Sequence, residues 1–233
     1  MDALPRSLPP RRARPRLPRV KDFLGARGGV SAVEFALILP VLLLLLVGAI
    51  DVGRAISAAN RVTYVSASLG ELVSRTDTAL TPDDIDGFIA LAPLINPDIL
   101  RYGRQIGSTD IAALSKITVS SVAFTKTDAT CTVACVYLGA VVFSRTRGGT
   151  VRPCGVVTAV ADGSAVTPTT VPASLYGPAP LVIIDVEIPF KPLILSSLPL
   201  PASFRSTSYY IPRATKTGTT PVTSTQNCPG VWT

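Results

Sequence analysis

The sequence predicts an α+β protein in which one long amino-terminal helix packs on a small antiparallel β-sheet domain. Three observations predict it. Val30 to Ile50 (VSAVEFALILPVLLLLLVGAI) has Ser31 and Glu34 as its only polar side chains, and nothing from Phe35 to Ile50 carries a charge or a hydrogen-bonding group. From Asp51 the apolar residues recur at steps of three and four, the spacing of one helix face. Beyond residue 115 the chain breaks into short β-branched segments separated by turn residues, the pattern of an antiparallel sheet.

The apolar run comes first. A bilayer core about 30 Å thick needs roughly 20 helical residues to cross it. A helix in the core of a soluble domain would keep a polar face, and this run keeps none for four turns. Residues 30–50 therefore read as a membrane span, with a kink expected at Pro40. Eight basic residues precede it (Arg6, Arg11, Arg12, Arg14, Arg16, Arg19, Lys21 and Arg27) against Asp2 and Asp22, while the other 204 residues carry 14 basic and 13 acidic groups. That asymmetry places residues 1–29 in the cytoplasm and sends the rest across. The leader is rich in proline and arginine, and it lacks the aromatic platform that nucleic-acid binding would need.

Past the span, Val52, Ala55, Ile56, Ala59, Val62, Val65, Ser66, Leu69 and Val73 define one apolar face, and Arg54, Arg61, Glu71 and Arg75 fall mostly outside it. One continuous helix from Ala32 to Ser74 is expected, with residues 51–75 as its amphipathic continuation. The small residues Ala55, Ala58, Ala59 and Ser66 permit close packing, against either the chain's own domain or a partner. An exported domain follows over residues 76–214. Thr81-Pro82-Asp83-Asp84 reads as a helix start, with a threonine cap, proline in the first turn and acids against the dipole. Pro93 should end that helix near Ala92, and Asn96-Pro97-Asp98 reads as a turn. Strands are expected at Lys116–Phe124, Cys135–Ser144, Val156–Val160, Leu181–Ile188 and Ser206–Ile211. Leu181–Ile188 should set Val182, Ile184, Val186 and Ile188 on one face. Asp162–Pro180 reads as a long functional or mobile loop, 189–201 as a proline-rich crossover, and 215–233 as a polar tail.

Four cysteines, Cys131, Cys135, Cys154 and Cys228, all follow the span. An even number in an oxidising compartment points to two disulfides. Of three pairings, Cys131–Cys135 with Cys154–Cys228 is favoured, and Cys135–Cys154 across a hairpin is the main competitor. A zinc site would need a second close pair, which Cys154 and Cys228 do not form. Histidine is absent, which removes the commonest general base and metal ligand. No nucleophile elbow, phosphate loop or dinucleotide fingerprint occurs. Neither an enzyme, a cofactor, a metal nor a small-molecule substrate is expected.

Glu34 is costly in a span, which makes it a functional candidate. Its setting is Arg27-Gly28-Gly29, four residues, then Glu34-Phe35 and the apolar run. This resembles a type IV prepilin processing site, where a basic leader ends in glycine and glutamate is the fifth mature residue. The longer string RGGVSAVEFALILPVLLLLLVGAIDVGRAI resembles more narrowly the TadE/TadG-like proteins of the tight-adherence (Flp) pilus system. Ala32-Val33-Glu34-Phe35-Ala36-Leu37, Pro40, Asp51 and Gly53 carry the likeness over residues 26–75. Major Flp pilins carry tyrosine after the glutamate, where this chain has Phe35.

The resemblance implies a pilin-like fold and a pseudopilin-like minor pilin or assembly protein in the bacterial inner membrane, with a periplasmic head that reaches the cell surface if it enters the fibre. It implies prepilin peptidase cutting between Gly29 and Val30, and subunit assembly through Glu34 and Phe35. Its partners would be membrane lipid, other pilus subunits and the inner-membrane assembly platform. The alternative is a bitopic membrane protein whose periplasmic domain binds or supports something unrelated to pili.

Overall fold

A computed structural model describes residues 29–75, 82–194 and 199–212. The basic leader, the expected cap Thr81 and the tail with Cys228 lie outside them. The chain divides between Val47 and Gly48 into two compact units.

Helix α1 runs unbroken from Gly29 to Arg75, three residues earlier and one later than expected, and passes through Pro40 without ending. In the second unit its buried positions include Asp51, Ala55, Val62, Val65, Ser66, Leu69 and Val73. The stripe is narrower than expected, because Val52 and Ile56 face outward. Three short helices follow: α2 (Pro82–Ala90), α3 (Ala92–Ile95) and α4 (Asp98–Ile106). Helix α2 starts at Pro82 as expected and ends at Ala90, close to the expected Ala92, but Pro93 is not its stop; Pro93 sits in the first turn of α3, where a missing N–H costs nothing. Asn96 and Pro97 make the expected turn, and a helix follows it directly. Pro97 holds the cap position of α4, the Asn96 side chain accepts the Asp98 N–H at 3.2 Å, and Gly107 closes the helix at φ 66°.

Six strands form one sheet in the order β4-β3-β2-β1-β5-β6: β1 Ile117–Lys126, β2 Tyr137–Arg147, β3 Gly155–Val160, β4 Thr170–Pro172, β5 Leu181–Pro189 and β6 Ser203–Tyr210. The α+β class holds. The sheet is mixed rather than wholly antiparallel, because β4 runs parallel to β3. Strand β4 and a 3₁₀ turn at Ala173–Leu175 lie inside the segment read as a loop.

Each face of the sheet has its own core. On one, Val62, Val65, Leu69 and Val73 of α1 meet Ile117 and Val119 of β1, Phe143 of β2 and the Val182–Ile188 face of β5, with Ile85, Ile89 and Ile99 from the short helices. On the other, Val122, Val141, Val157, Leu181 and Ile183 are covered by Val171, Leu175 and Tyr176 of the 162–180 segment. Strict alternation would put Val141 and Phe143 of β2 on the same face. The β1–β2 register slips between Ser121 and Val122, leaving Val142 as the extra residue of a bulge. That slip lets Val141 serve one core and Phe143 the other.

The last strand locks onto α1. The Tyr210 hydroxyl donates to the Ala67 carbonyl at 3.1 Å, and Ser66 hydrogen-bonds Ser208. The Tyr210 ring fills the space where a side chain at Gly70 would stand, so only glycine fits there.

Candidate membrane and assembly helix

Between Ser31 and Leu46 every residue of α1 is exposed, Phe35, Leu37 and Leu44 each by more than half. No other described helix is both long and apolar enough to cross a membrane. Twenty-one residues of α-helix span roughly 31 Å, which matches a hydrocarbon core of about 30 Å. A surface this apolar is not left to water in a soluble protein.

The expected site residues fall along this helix. Gly29 and Val30 open it. Glu34 and Phe35 are exposed on its first turns. Pro40 lies inside it and supplies no N–H to the Ala36 carbonyl one turn back. Glu34 and Asp51, the two acids of the matched pattern, end in opposite surroundings: Glu34 is exposed and Asp51 is fully buried.

Asp51 is a contact that sequence reasoning did not foresee. Its Oδ1 accepts the Leu193 N–H at 3.0 Å and its Oδ2 accepts the Ile194 N–H at 3.2 Å. A buried carboxylate is tolerated when backbone donors replace its water. The helix thus grips the proline-rich crossover between β5 and β6 at the position where the apolar run ends. The signal was present as the one acid directly after the run.

A second ionic centre holds the far face of the sheet. Arg152 is almost fully buried and makes a bidentate pair with Asp185, Nε to Oδ2 at 2.7 Å and Nη2 to Oδ1 at 3.0 Å. Its Nη1 donates to the Thr167, Pro168 and Thr170 carbonyls, and Thr207 adds a hydrogen bond to Asp185 at 2.7 Å. This network fastens the 162–180 segment to the sheet. Beside it, burial pushes the Tyr209 phenol up; Arg152 opposes that rise and Asp185 adds to it.

Cys131 and Cys135 are bonded to each other, as favoured, with Cα atoms 5.6 Å apart. That bond occupies Cys135, so the competing Cys135–Cys154 pairing does not occur; Cys154 is also disulfide-bonded. Cys228 lies outside the described residues. No group of three or more metal-ligating side chains occurs among the described residues.

No curated protein and no solved structure matches the chain. A family match does, and it falls on α1 rather than on the head. Residues 29–68, which hold Glu34, Phe35, Pro40 and Asp51, match the family described as TadE-like protein, a pilus-associated structural family and the one the sequence resembled.

Proposed function

We propose that this chain is a minor pilin or assembly protein of a tight-adherence (Flp) pilus, anchored in the bacterial inner membrane by residues 30–50. Residues 1–29 form the cytoplasmic leader, and the head is exported to the periplasm. The observation that carries the reading is the coincidence of the TadE-like match with the uncovered apolar helix.

Two site roles follow from this reading. A prepilin peptidase cuts between Gly29 and Val30, which leaves Glu34 as the fifth residue. In a fibre, the new ammonium group of one subunit pairs with Glu34 of a neighbour. Each charge is costly alone in lipid and each satisfies the other, and Phe35 packs beside the pair. The partners are other pilus subunits and the membrane assembly platform.

Sequencing the amino terminus of the membrane-extracted protein tests this. With a prepilin peptidase present the chain should begin at Val30, and Gly29→Leu should retain the leader. A leader retained in both, together with unchanged surface attachment in Glu34→Ala, would show a plain membrane anchor instead.

A further inference from the structure

Leu193 and Ile194 lie on the crossover that Asp51 holds by its backbone. Their N–H groups point into the Asp51 carboxylate, while their side chains stay exposed by 55% and 51%. Among the described residues, nothing in the sheet or the short helices covers them. Ile50, the last residue of the apolar run and the chain neighbour of Asp51, is also exposed; Ile50, Leu193 and Ile194 are together called the apolar collar.

Next to this collar, α1, α4 and the crossover enclose a groove of about 370 Å³. Arg54, Arg61, Arg101 and Lys191 line it, and Asp98 is its one lining carboxylate. Asp98 is already paired with Arg61 at 2.7 Å. The Nε of Arg54 is buried with no hydrogen-bond partner. The groove thus keeps a cationic excess one helical turn beyond the apolar collar, which is the order of chemistries met on leaving a bilayer: acyl chain, then phosphate.

We infer that the head makes a second membrane contact here, with Leu193 and Ile194 inserted in the leaflet and the groove holding the phosphate of an anionic phospholipid. This rests on reading residues 30–50 as a span, because only then does the collar sit at the lipid boundary. Amphipathic surfaces of this kind bury their apolar side chains a few ångströms below the headgroups, and each nearby cation strengthens attachment to anionic lipid. Asp51 sets the depth by fixing the crossover to the end of the span. The contact restrains the head against the membrane before the subunit is extracted or assembled.

Tryptophan quenching by brominated acyl chains tests this on the full-length protein. Trp232, the single tryptophan, is replaced by phenylalanine, and one reporter is introduced at a time: Leu193→Trp, Leu43→Trp within the run, or Val133→Trp on the exposed β1–β2 connection. Each is reconstituted in vesicles of phosphatidylcholine alone or with one quarter phosphatidylglycerol. The Leu193→Trp reporter should lose about half its emission, since shallow insertion brings it beside the brominated carbons. The loss should grow with phosphatidylglycerol, and Arg54→Gln with Lys191→Gln should remove that growth. The Val133→Trp reporter should stay unquenched.

If Leu43→Trp is quenched and Leu193→Trp behaves like Val133→Trp, the span stands and the second contact is overturned. If Leu43→Trp is itself unquenched, the span reading has failed. Quenching at 193 that ignores phosphatidylglycerol overturns the headgroup assignment.

Discussion

The two halves of helix α1 share one backbone and differ in how much of their surface is apolar. From Ser31 to Leu46 the sequence is apolar on every side and every residue is exposed. From Gly48 to Arg75 it is apolar on a stripe, and that stripe is the part buried against the sheet. A helix is satisfied internally in either setting, so the choice rests with the side chains. The switch comes at Asp51, where a polar group first replaces the apolar run and finds its partners in the crossover. The lesson is that the width of the apolar stripe, not the helix itself, decides which medium a segment belongs to.

The difference can be broken at either end, and the largest effect should come from the first half. Leu43→Arg places a charge in mid-span at a cost of about 2.5–3.5 kcal/mol on insertion scales. Carbonate extraction should then find most of the protein outside the membrane pellet, while the urea midpoint of the head stays unchanged. Leu69→Ala should do the reverse. Leu69 is fully buried against the sheet, and its truncation should cost about 2–5 kcal/mol in urea unfolding with membrane association unaltered. If either variant moved both readouts together, the two halves would not be separate in the way described.

Arg152→Met sharpens the contrast within the head. Removing one partner of a buried pair strands the other charge, typically at about 3–5 kcal/mol. The Asp185 side chain is 30% exposed and keeps its bond from Thr207, which places the effect at the low end, about 3 kcal/mol. Limited proteolysis should then cut within 162–180 before the head unfolds.

The smallest effect concerns acid. Burial pushes the Glu187 carboxyl up, but Lys116, Ser203 and Arg205 outweigh it and hold the group below its ordinary value of 4.5. A lowered carboxyl contributes stability that is complete above its unfolded value and fades as pH falls through the folded one. The head should therefore lose a little stability below about pH 4.5, and Glu187→Gln should flatten part of that slope.

Much of this was legible because periodicity reports burial. In β5 the face Val182, Ile184, Val186 and Ile188 reads directly from alternation and is the face that packs on α1. The misses have physical causes. In α4, Pro97 and Gly107 are turn formers, and they serve here as the start and stop of a helix whose middle is polar. Strand β4 is three residues long and pairs parallel to β3, so no hairpin signal announces it. The bulge at Val142 hides because an unbroken β-branched run looks the same with or without a slip. At the candidate site, Glu34 and Phe35 stand out as a polar break and its neighbour in an apolar run. The Asp51 clamp and the Arg152–Asp185 pair join residues far apart in sequence; Asp51 stands out locally as the acid directly after the run, but no local pattern names the partner of either group.

The central claim is tested most directly by spin labels placed singly from Phe35 to Val73 in the reconstituted protein. Collision with oxygen, which dissolves in lipid, is compared with collision with a water-soluble nickel chelate. The account predicts that oxygen dominates without helical periodicity from Phe35 to Ile50. Beyond Asp51 the chelate should take over with a period of about 3.6 residues, peaking near Asn60 and Tyr64 and vanishing at Val62, Val65 and Leu69. Chelate contact throughout residues 35–46 would contradict it.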